Sequence, residues 1–295
     1  MSAIRHLPDE DRPEGGKAAN QCKEAIQSAY EQRLSELEEE EVQSQITEEA
    51  VDVTLTGRRP QKTEGHPIPE TEQDLIGILT SMGFEVADGP EIETDFYNFE
   101  ALNFPPDHPA RDMQDTFKLE DGRLLRTHTS PVQIRTMLAY EPPIRIIAPG
   151  RTFRCDDDVT HSPVFHQVEG LLVDEEVTFA DLKGTIHHFV RECFGEETDV
   201  RFRSSYFPFT EPSAEVDIGC IFCEAGCRVC SETGWLELMG AGMVDPNVFE
   251  ASGVDPERYS GFAFGMGTER VAMLKRGIDD IRLFYRNDMR FLRRA

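Results

Sequence analysis

From Ile144 to Met239 the chain reads as a succession of strands with a single helix among them, and this pattern restricts the architecture more than any other feature. The strand candidates are Ile144–Ala148, Val168–Val173, Val200–Tyr206, Glu215–Ile218 and Trp235–Met239. Each is a short apolar or alternating run bounded by turn residues. Ala180–Phe194 carries the period of an amphipathic helix. Strands that follow one another with few helices between them give an α+β fold with a mainly antiparallel sheet flanked by helices.

The flanks add helices. Residues 1–15, with Pro8, Pro13 and Gly15 among acids, are expected to be loose. From Lys17 the residues Ala18, Cys22, Ala25 or Ile26, Ala29 or Tyr30, Leu34 and Leu37 recur at helical spacing, and the stripe weakens at Glu38–Glu41 before Ile46 and Ala50 offer to resume it. Such a helix either packs on its own domain or serves as a partner-binding arm. Val51–Thr56 alternates like a short strand before Gly57-Arg-Arg-Pro60 breaks it. The boundary falls here, giving a helical arm with linker strand over 1–56 and a larger domain over 57–295. Glu70–Met82 is a helix stopped by Gly83, Phe84–Ala87 a strand, and Asn103–Arg111 a proline-bearing loop.

Composition excludes some classes. No stretch approaches the ~20 apolar residues that span a bilayer, and Met1–His6 does not read as a secretory leader. The expectation is a cytoplasmic protein with no membrane partner. The net charge of −26 opposes direct nucleic-acid binding unless another subunit brings the basic surface. A solvated acidic surface, as in salt-adapted proteins, is the alternative.

Of the 7 cysteines, Cys220, Cys223, Cys227 and Cys230 form two adjacent C-x-x-C pairs, with Gly226 allowing a reversal between them. They can close into one tetrahedral thiolate site for a structural Zn²⁺. Four reduced thiols in a loop is the competing reading.

The chain has no Walker loop and no dinucleotide fingerprint. A nucleotide enzyme built without them must hold phosphate with arginines, whose planar forks suit it. Arg154 lies in Gly150-Arg-Thr-Phe-Arg-Cys-Asp, before a polar loop and the returning strand Phe165-His-Gln-Val-Glu-Gly170. This is a hairpin, expected to place Arg154 and Glu169 on facing strands. Arg270 ends Gly265-Met-Gly-Thr-Glu-Arg270, where a turn enters a helix. Alone, an arginine beside a turn is usually a surface ion pair.

Together the segments Phe153–Gly170 and Gly265–Arg270 resemble motifs 2 and 3 of class II aminoacyl-tRNA synthetases, and the helix–strand unit ending at Gly89-Pro90 resembles motif 1. Arg126-Thr-His-Thr-Ser-Pro131, Thr160–Gly170, Tyr206-Phe-Pro-Phe-Thr-Glu-Pro212 and Gly261-Phe-Ala-Phe-Gly265 resemble, in order, signatures of the bacterial phenylalanyl-tRNA synthetase α subunits. The likeness runs from about Val51 to the C-terminus.

The resemblance implies ATP-dependent activation of phenylalanine and its transfer to tRNA(Phe). Arg154 would hold the α-phosphate and the substrate carboxylate, Arg270 the γ-phosphate, and Phe165 the adenine. Glu169 and Gln167, helped by Ser130, would receive the amino group, and His128 would donate to the carboxylate. Phe207, Phe209, Phe262 and Phe264 would surround the phenyl ring edge to face. Ala263 would floor the pocket and limit how far a para substituent can extend. Glu211 would bind Mg²⁺ near a partner β subunit in an α2β2 heterotetramer, whose dimer contact involves Phe84–Ile92.

The chain departs from the family in two places. The family's arm is a two-helix coiled coil that touches tRNA, and here the chain begins near the turn between the helices, so the arm is short or its start is missing. Asp245 stands where the family usually shows His. A non-catalytic, amino-acid-binding or regulatory relative is the rival reading, disfavoured because Arg154, Glu169 and Arg270 are all present. A class II enzyme for another amino acid is a further rival, opposed by the pair Phe207 and Phe209.

Overall fold

The computed structural model describes residues 8, 11–49, 65–107, 116–155, 162–223 and 226–292. They belong to two units divided after Gln61, each taken by itself. The strand expected at Val51–Thr56 lies outside the described residues.

The first unit holds helix α1, Arg12–Glu48. It begins well before Lys17, so Gly15 and Gly16 lie inside it rather than in a loose leader. Pro13 explains the earlier start: in a first turn its missing N–H is no loss and its fixed φ favours the helix. None of its residues is buried within the structure, and Ile26, Tyr30, Leu34 and Leu37 remain exposed.

The second unit opens with α2, Pro67–Ser81, where the His66 side chain accepts from the Ile68 N–H and Gly83 takes a positive φ just beyond the end. β1 (Glu85–Val86), β2 (Ile92–Glu93) and α3 (Asp95–Asn98) follow. Then come β3 (Leu124–Leu125), α4 (Ser130–Ala139), β4 (Ile144–Phe153) and β5 (Val164–Asp174). Helix α5, Phe179–Phe194, starts at a capping box between Thr178 and Asp181. The chain continues through β6 (Val200–Phe207), β7 (Thr210–Gly219), β8 (Trp235–Val244), α6 (Pro246–Ala251), β9 (Ser260–Gly267) and α7 (Thr268–Arg276).

The main sheet has 7 strands in the order β1-β4-β5-β9-β8-β7-β6. Only β1 with β4 is parallel. Side chains alternate across each strand, so the sheet divides its apolar residues between two cores. Ile147, Val168, Leu172, Phe262 and Phe264 join α2, α5 and α7 on one face. Ile144, Ile146, Leu171, Val173 and Ala263 pack against α4 and the Phe99–Phe104 segment on the other. Glu169, in phase with Leu171 and Val173, belongs to this second face.

The β4–β5 hairpin is longer than the strand-forming runs suggest and carries much of the site. Its register pairs Ala148 with Glu169 and Phe153 with Val164. Arg154 therefore stands just past the end of β4, its N–H donating to the Pro163 carbonyl, while the residue directly opposite Glu169 is Ala148. β4 runs on through Pro149 and Gly150 to Phe153, so Arg154 falls at the turn end of the hairpin and Glu169 further along the facing strand.

Candidate functional site

The sheet is hollowed where small residues meet on neighbouring strands. Gly240 of β8 pairs with Gly265 of β9, and Gly242 with Ala263. A Cβ at Gly240 would meet the Phe207 ring at 2.9 Å, and one at Gly242 would meet the Pro212 carbonyl oxygen at 2.7 Å. These close approaches make room for a cavity of about 400 Å³, whose walls include His128, Ser130, Gln167, Glu169, Phe209 and Ala263.

At the cavity's base lies Glu169, 6% exposed. Its carboxylate accepts from the Thr129 N–H (3.1 Å), the Ser130 hydroxyl (2.6 Å) and Gln133 Nε2 (2.9 Å), all at the N-terminal end of α4. Burial pushes the Glu169 pKa up, while the Ser130 and Thr129 bonds and the charges of Arg154 and Arg126 pull it down. An ionised carboxylate offers about four acceptor sites, so three donors leave one open. Beside it, Gln167 Oε1 is buried without a partner. Neither ring nitrogen of His128 makes a well-formed hydrogen bond, and burial with the nearby Arg154 charge pushes its pKa down to about 3. His128 is therefore neutral, with one N–H to give. Buried polar atoms without partners are rare, and here they converge on one cavity.

The aromatic wall differs from expectation. Phe207 and Phe209 stack at 5.9 Å and 13°, Phe209 lies 5.9 Å from Phe104, and His128 lies 6.5 Å from Phe104. Phe262 is not part of it. Strand alternation puts Phe262 opposite to Ala263, fully buried in the core beneath α5 and α7. Phe264 touches the cavity but packs edge-on against Phe84 at 5.8 Å on that other side.

Arg154 projects into the same cavity. Its Nε donates to the Thr127 carbonyl at 3.2 Å, and its guanidinium lies 4.9 Å from the Phe165 ring centre. Arg270 is in the first turn of α7 and donates through Nε to the Glu237 carbonyl at 3.2 Å. It lines a neighbouring recess of about 410 Å³ with Arg201, Arg203, Asp217 and Glu237. Glu237 borders both spaces, which places the two expected phosphate arginines on either side of it. Arg203 Nη2 reaches Glu215 at 2.7 Å and Glu237 at 3.8 Å, so these carboxylates stand close together at the boundary.

The cysteines occupy the turn of the β7–β8 hairpin. Cys220–Cys227, Cys223–Cys230 and Cys227–Cys230 sulfur distances are 3.9, 3.7 and 3.7 Å, and all four sulfurs lie within 4.8 Å of one another. Zn–S bonds of about 2.3 Å in a tetrahedron require sulfur separations of about 3.8 Å. The Cys227 N–H donates to Cys230 Sγ at 3.1 Å, as suits a thiolate. Gly226 has φ of +122° at this turn. Glu211 is exposed on β7 after Thr210, outside the cavity, and the Cys cluster is the one grouping of three or more potential metal ligands among the described residues. Asp245 caps α6, accepting from the Asn247 N–H at 2.8 Å. Phe104, Gln133, Arg126, Glu215 and Glu237 carry no individual site signature in the sequence; the only signal for Gln133 is its position one helical turn after Ser130.

Residues 50–295 match the family model described as tRNA synthetases class II core domain (F), and residues 1–46 match the aminoacyl tRNA synthetase class II N-terminal domain. Proteins named phenylalanine–tRNA ligase alpha subunit are similar to 99% of the chain. That of Trichlorobacter lovleyi is 56% identical and that of Moorella thermoacetica 58% identical, each covered over 87% of its length. Among solved structures, a pyrrolysyl-tRNA synthetase from Desulfitobacterium hafniense superposes with a TM-score of 0.56 at 19% identity, covering 90% of this chain and 84% of that one, a likeness of fold.

The buried carboxylate makes a pH-dependent prediction. Burial raises the folded-state pKa of Glu169 above its unfolded value of about 4.3, so native stability falls as pH rises from there through the folded pKa. Gln133→Leu removes a donor and raises the folded pKa further. The variant is expected to lose about 1–3 kcal/mol at pH 8 and distinctly less at pH 5, measured by urea denaturation. Equal losses at both pH values would show that Gln133 does not support the ionised form.

Proposed function

Because the chain belongs to the phenylalanine–tRNA ligase α-subunit family of class II aminoacyl-tRNA synthetases, we propose that the cavity over Glu169 binds phenylalanine beside an ATP site running from Phe165 to Arg270. The family's activity makes the chain part of a ligase that joins phenylalanine to tRNA with ATP. The α-subunit relationship implies a partner β subunit, and the rival non-catalytic reading is not favoured.

One observation carries the placement of the amino acid: Gln167 Oε1 and the open acceptor site of Glu169 meet in an aromatic-walled cavity. They suit an ammonium group, with the Ser130 oxygen beside them. Neutral His128 donates to the carboxylate. The phenyl ring rests against Phe207 and Phe209, and Ala263 limits its depth. The substrate carboxylate oxygen attacks the α-phosphorus of ATP, a P–O bond forms, and the bond to the departing pyrophosphate breaks. Arg154 neutralises charge between carboxylate and α-phosphate, and Arg270 holds the γ-phosphate. Arg154 covers one face of Phe165, leaving the other for adenine. Positioning and charge stabilisation account for the catalysis, without a covalent enzyme intermediate.

Class II synthetases use Mg²⁺, which binds through one or two carboxylates and the substrate phosphates. Glu215 and Glu237 suit that role by their place beside Arg270. Glu211, assigned to Mg²⁺ by resemblance, is exposed and requires ligands from elsewhere, such as the β subunit. The cysteine geometry suits a closed Zn²⁺ site that braces the hairpin turn. We assign residues 1–56 to an arm and 57–295 to the catalytic domain. The assembly is α2β2, joined through the Phe84–Ile92 region, where Val86 and Ile92 are exposed. The β subunit supplies basic tRNA-binding surface to this acidic chain. No helix among the described residues is long and apolar enough to cross a membrane, in keeping with a cytoplasmic enzyme.

Arg154→Ala and Arg270→Ala are each expected to reduce phenylalanine-dependent pyrophosphate exchange by roughly a hundredfold to a thousandfold, or about 3–4 kcal/mol, with the fold intact. Near-normal exchange would contradict the assigned roles. Metal analysis of the purified chain is expected to give about one zinc per chain, lost in a Cys223→Ser/Cys227→Ser double variant. Wild-type protein that folds normally without metal would reduce the cluster to free thiols.

A further inference from the structure

Strands β5 and β9 stay paired only as far as Gln167 with Gly267, where β9 gives way to α7. β5 runs on to Val164 without that neighbour. The His166 N–H, facing away from β4, donates instead to both carboxylate oxygens of Glu269 at 3.0 Å each. His166 Nδ1 lies 2.8 Å from Glu269 Oε1, and the Tyr285 hydroxyl donates to the same oxygen at 2.5 Å. The Glu269 side chain is 3% exposed. A carboxylate so buried depends on its donors, because leaving one unmet is costly.

The sequence positions give the network its meaning. His166 follows Phe165, and Glu269 precedes Arg270. One carboxylate thus fastens the neighbours of the two residues at opposite ends of the ATP site. Tyr285 comes from outside both segments. It follows a 3₁₀ turn, Ile281–Phe284, whose Ile281 and Phe284 are buried with Ile68 and Ala272. Burial and the Glu269 charge push the Tyr285 pKa up, so its hydroxyl stays a donor. The charged groups around His166 are Glu269, Glu72 and Arg151.

We infer that Tyr285 is a positioning residue for ATP, acting through Glu269 and His166 to hold Phe165 and Arg270 at a fixed spacing. The inference rests on the proposed ATP site. Tyr285 touches no reacting atom; its removal loosens the frame that receives adenine at one end and γ-phosphate at the other.

Steady-state pyrophosphate exchange with the αβ complex tests this. Tyr285→Phe, which removes a single oxygen, is expected to raise KM for ATP about five- to tenfold, less than the full worth of a hydrogen bond to a charged group. KM for phenylalanine and kcat should stay within about twofold, separating ATP positioning from a general loss of transition-state binding. His166→Ala should act in the same direction, and the double variant should be no worse than the more affected single, as for residues in one network. His166→Asn, which keeps a side-chain N–H, should lie nearer wild type. An unchanged KM for ATP in Tyr285→Phe, or an equal rise in KM for phenylalanine, overturns the inference. Arg270→Ala, run alongside, separates the two levels: its loss of exchange with Tyr285→Phe unaffected would refute the positioning role alone. Near-normal exchange in Arg270→Ala would refute the ATP site and the inference with it.

Discussion

A carboxylate buried in a sheet face must be met by donors from another element, and Glu169 meets this constraint with the N-terminal end of α4. The Thr129 N–H, the Ser130 hydroxyl and the Gln133 amide converge on it, locking helix to hairpin. The helix is tied a second time through Arg135, which grips the buried Glu93 of β2 in bidentate fashion at 2.6 and 2.7 Å. Such fork-to-carboxylate pairs fix orientation as well as distance. The cavity's polar base is thereby set before any ligand arrives, which is what the proposed positioning of two anions there requires.

Glu269 repeats the device in reverse. Glu169 reaches out from β5 to the start of α4, whereas Glu269 reaches back from the start of α7 to β5. The hairpin is held at both ends of the site by buried carboxylates, with the small residues of β8 and β9 between them leaving room for substrate. Arg126 adds a third tie, its guanidinium donating to the Arg151 and Gly89 carbonyls and linking β4 to the segment after β1. In a chain of net charge −26, Arg126 thus serves the frame, while Arg154 and Arg270 border the two adjoining recesses on either side of Glu237.

The sheet and its strand character were legible because period-two apolar runs are local signals, and Ser130, Gln167, Glu169 and Ala263 stood in short segments whose order carried the resemblance. Other features depended on contacts between distant residues. Gln133 reads as a surface glutamine until Glu169 is seen opposite it. Phe104 sits in a segment that prolines mark as loop, yet it is 1% exposed because it fills the space beside Phe209. The register of Arg154 required the full length of β4, which continues through a Pro-Gly pair that ordinarily ends a strand. The placing of Phe262 was a different kind of miss: alternation with Ala263 already sends it to the opposite face. Asp245, unaccounted for in sequence, is a helix cap.

The cavity over Glu169 is proposed to select phenylalanine for activation. Pyrophosphate exchange with the αβ complex, each of the twenty amino acids being supplied in turn, measures that selection. Phenylalanine should support rapid exchange, tyrosine should be disfavoured by roughly a hundredfold, as expected when an apolar pocket meets one added hydroxyl, and amino acids without an aromatic ring should give only background. Strong exchange with a non-aromatic amino acid, or none with phenylalanine, would contradict it.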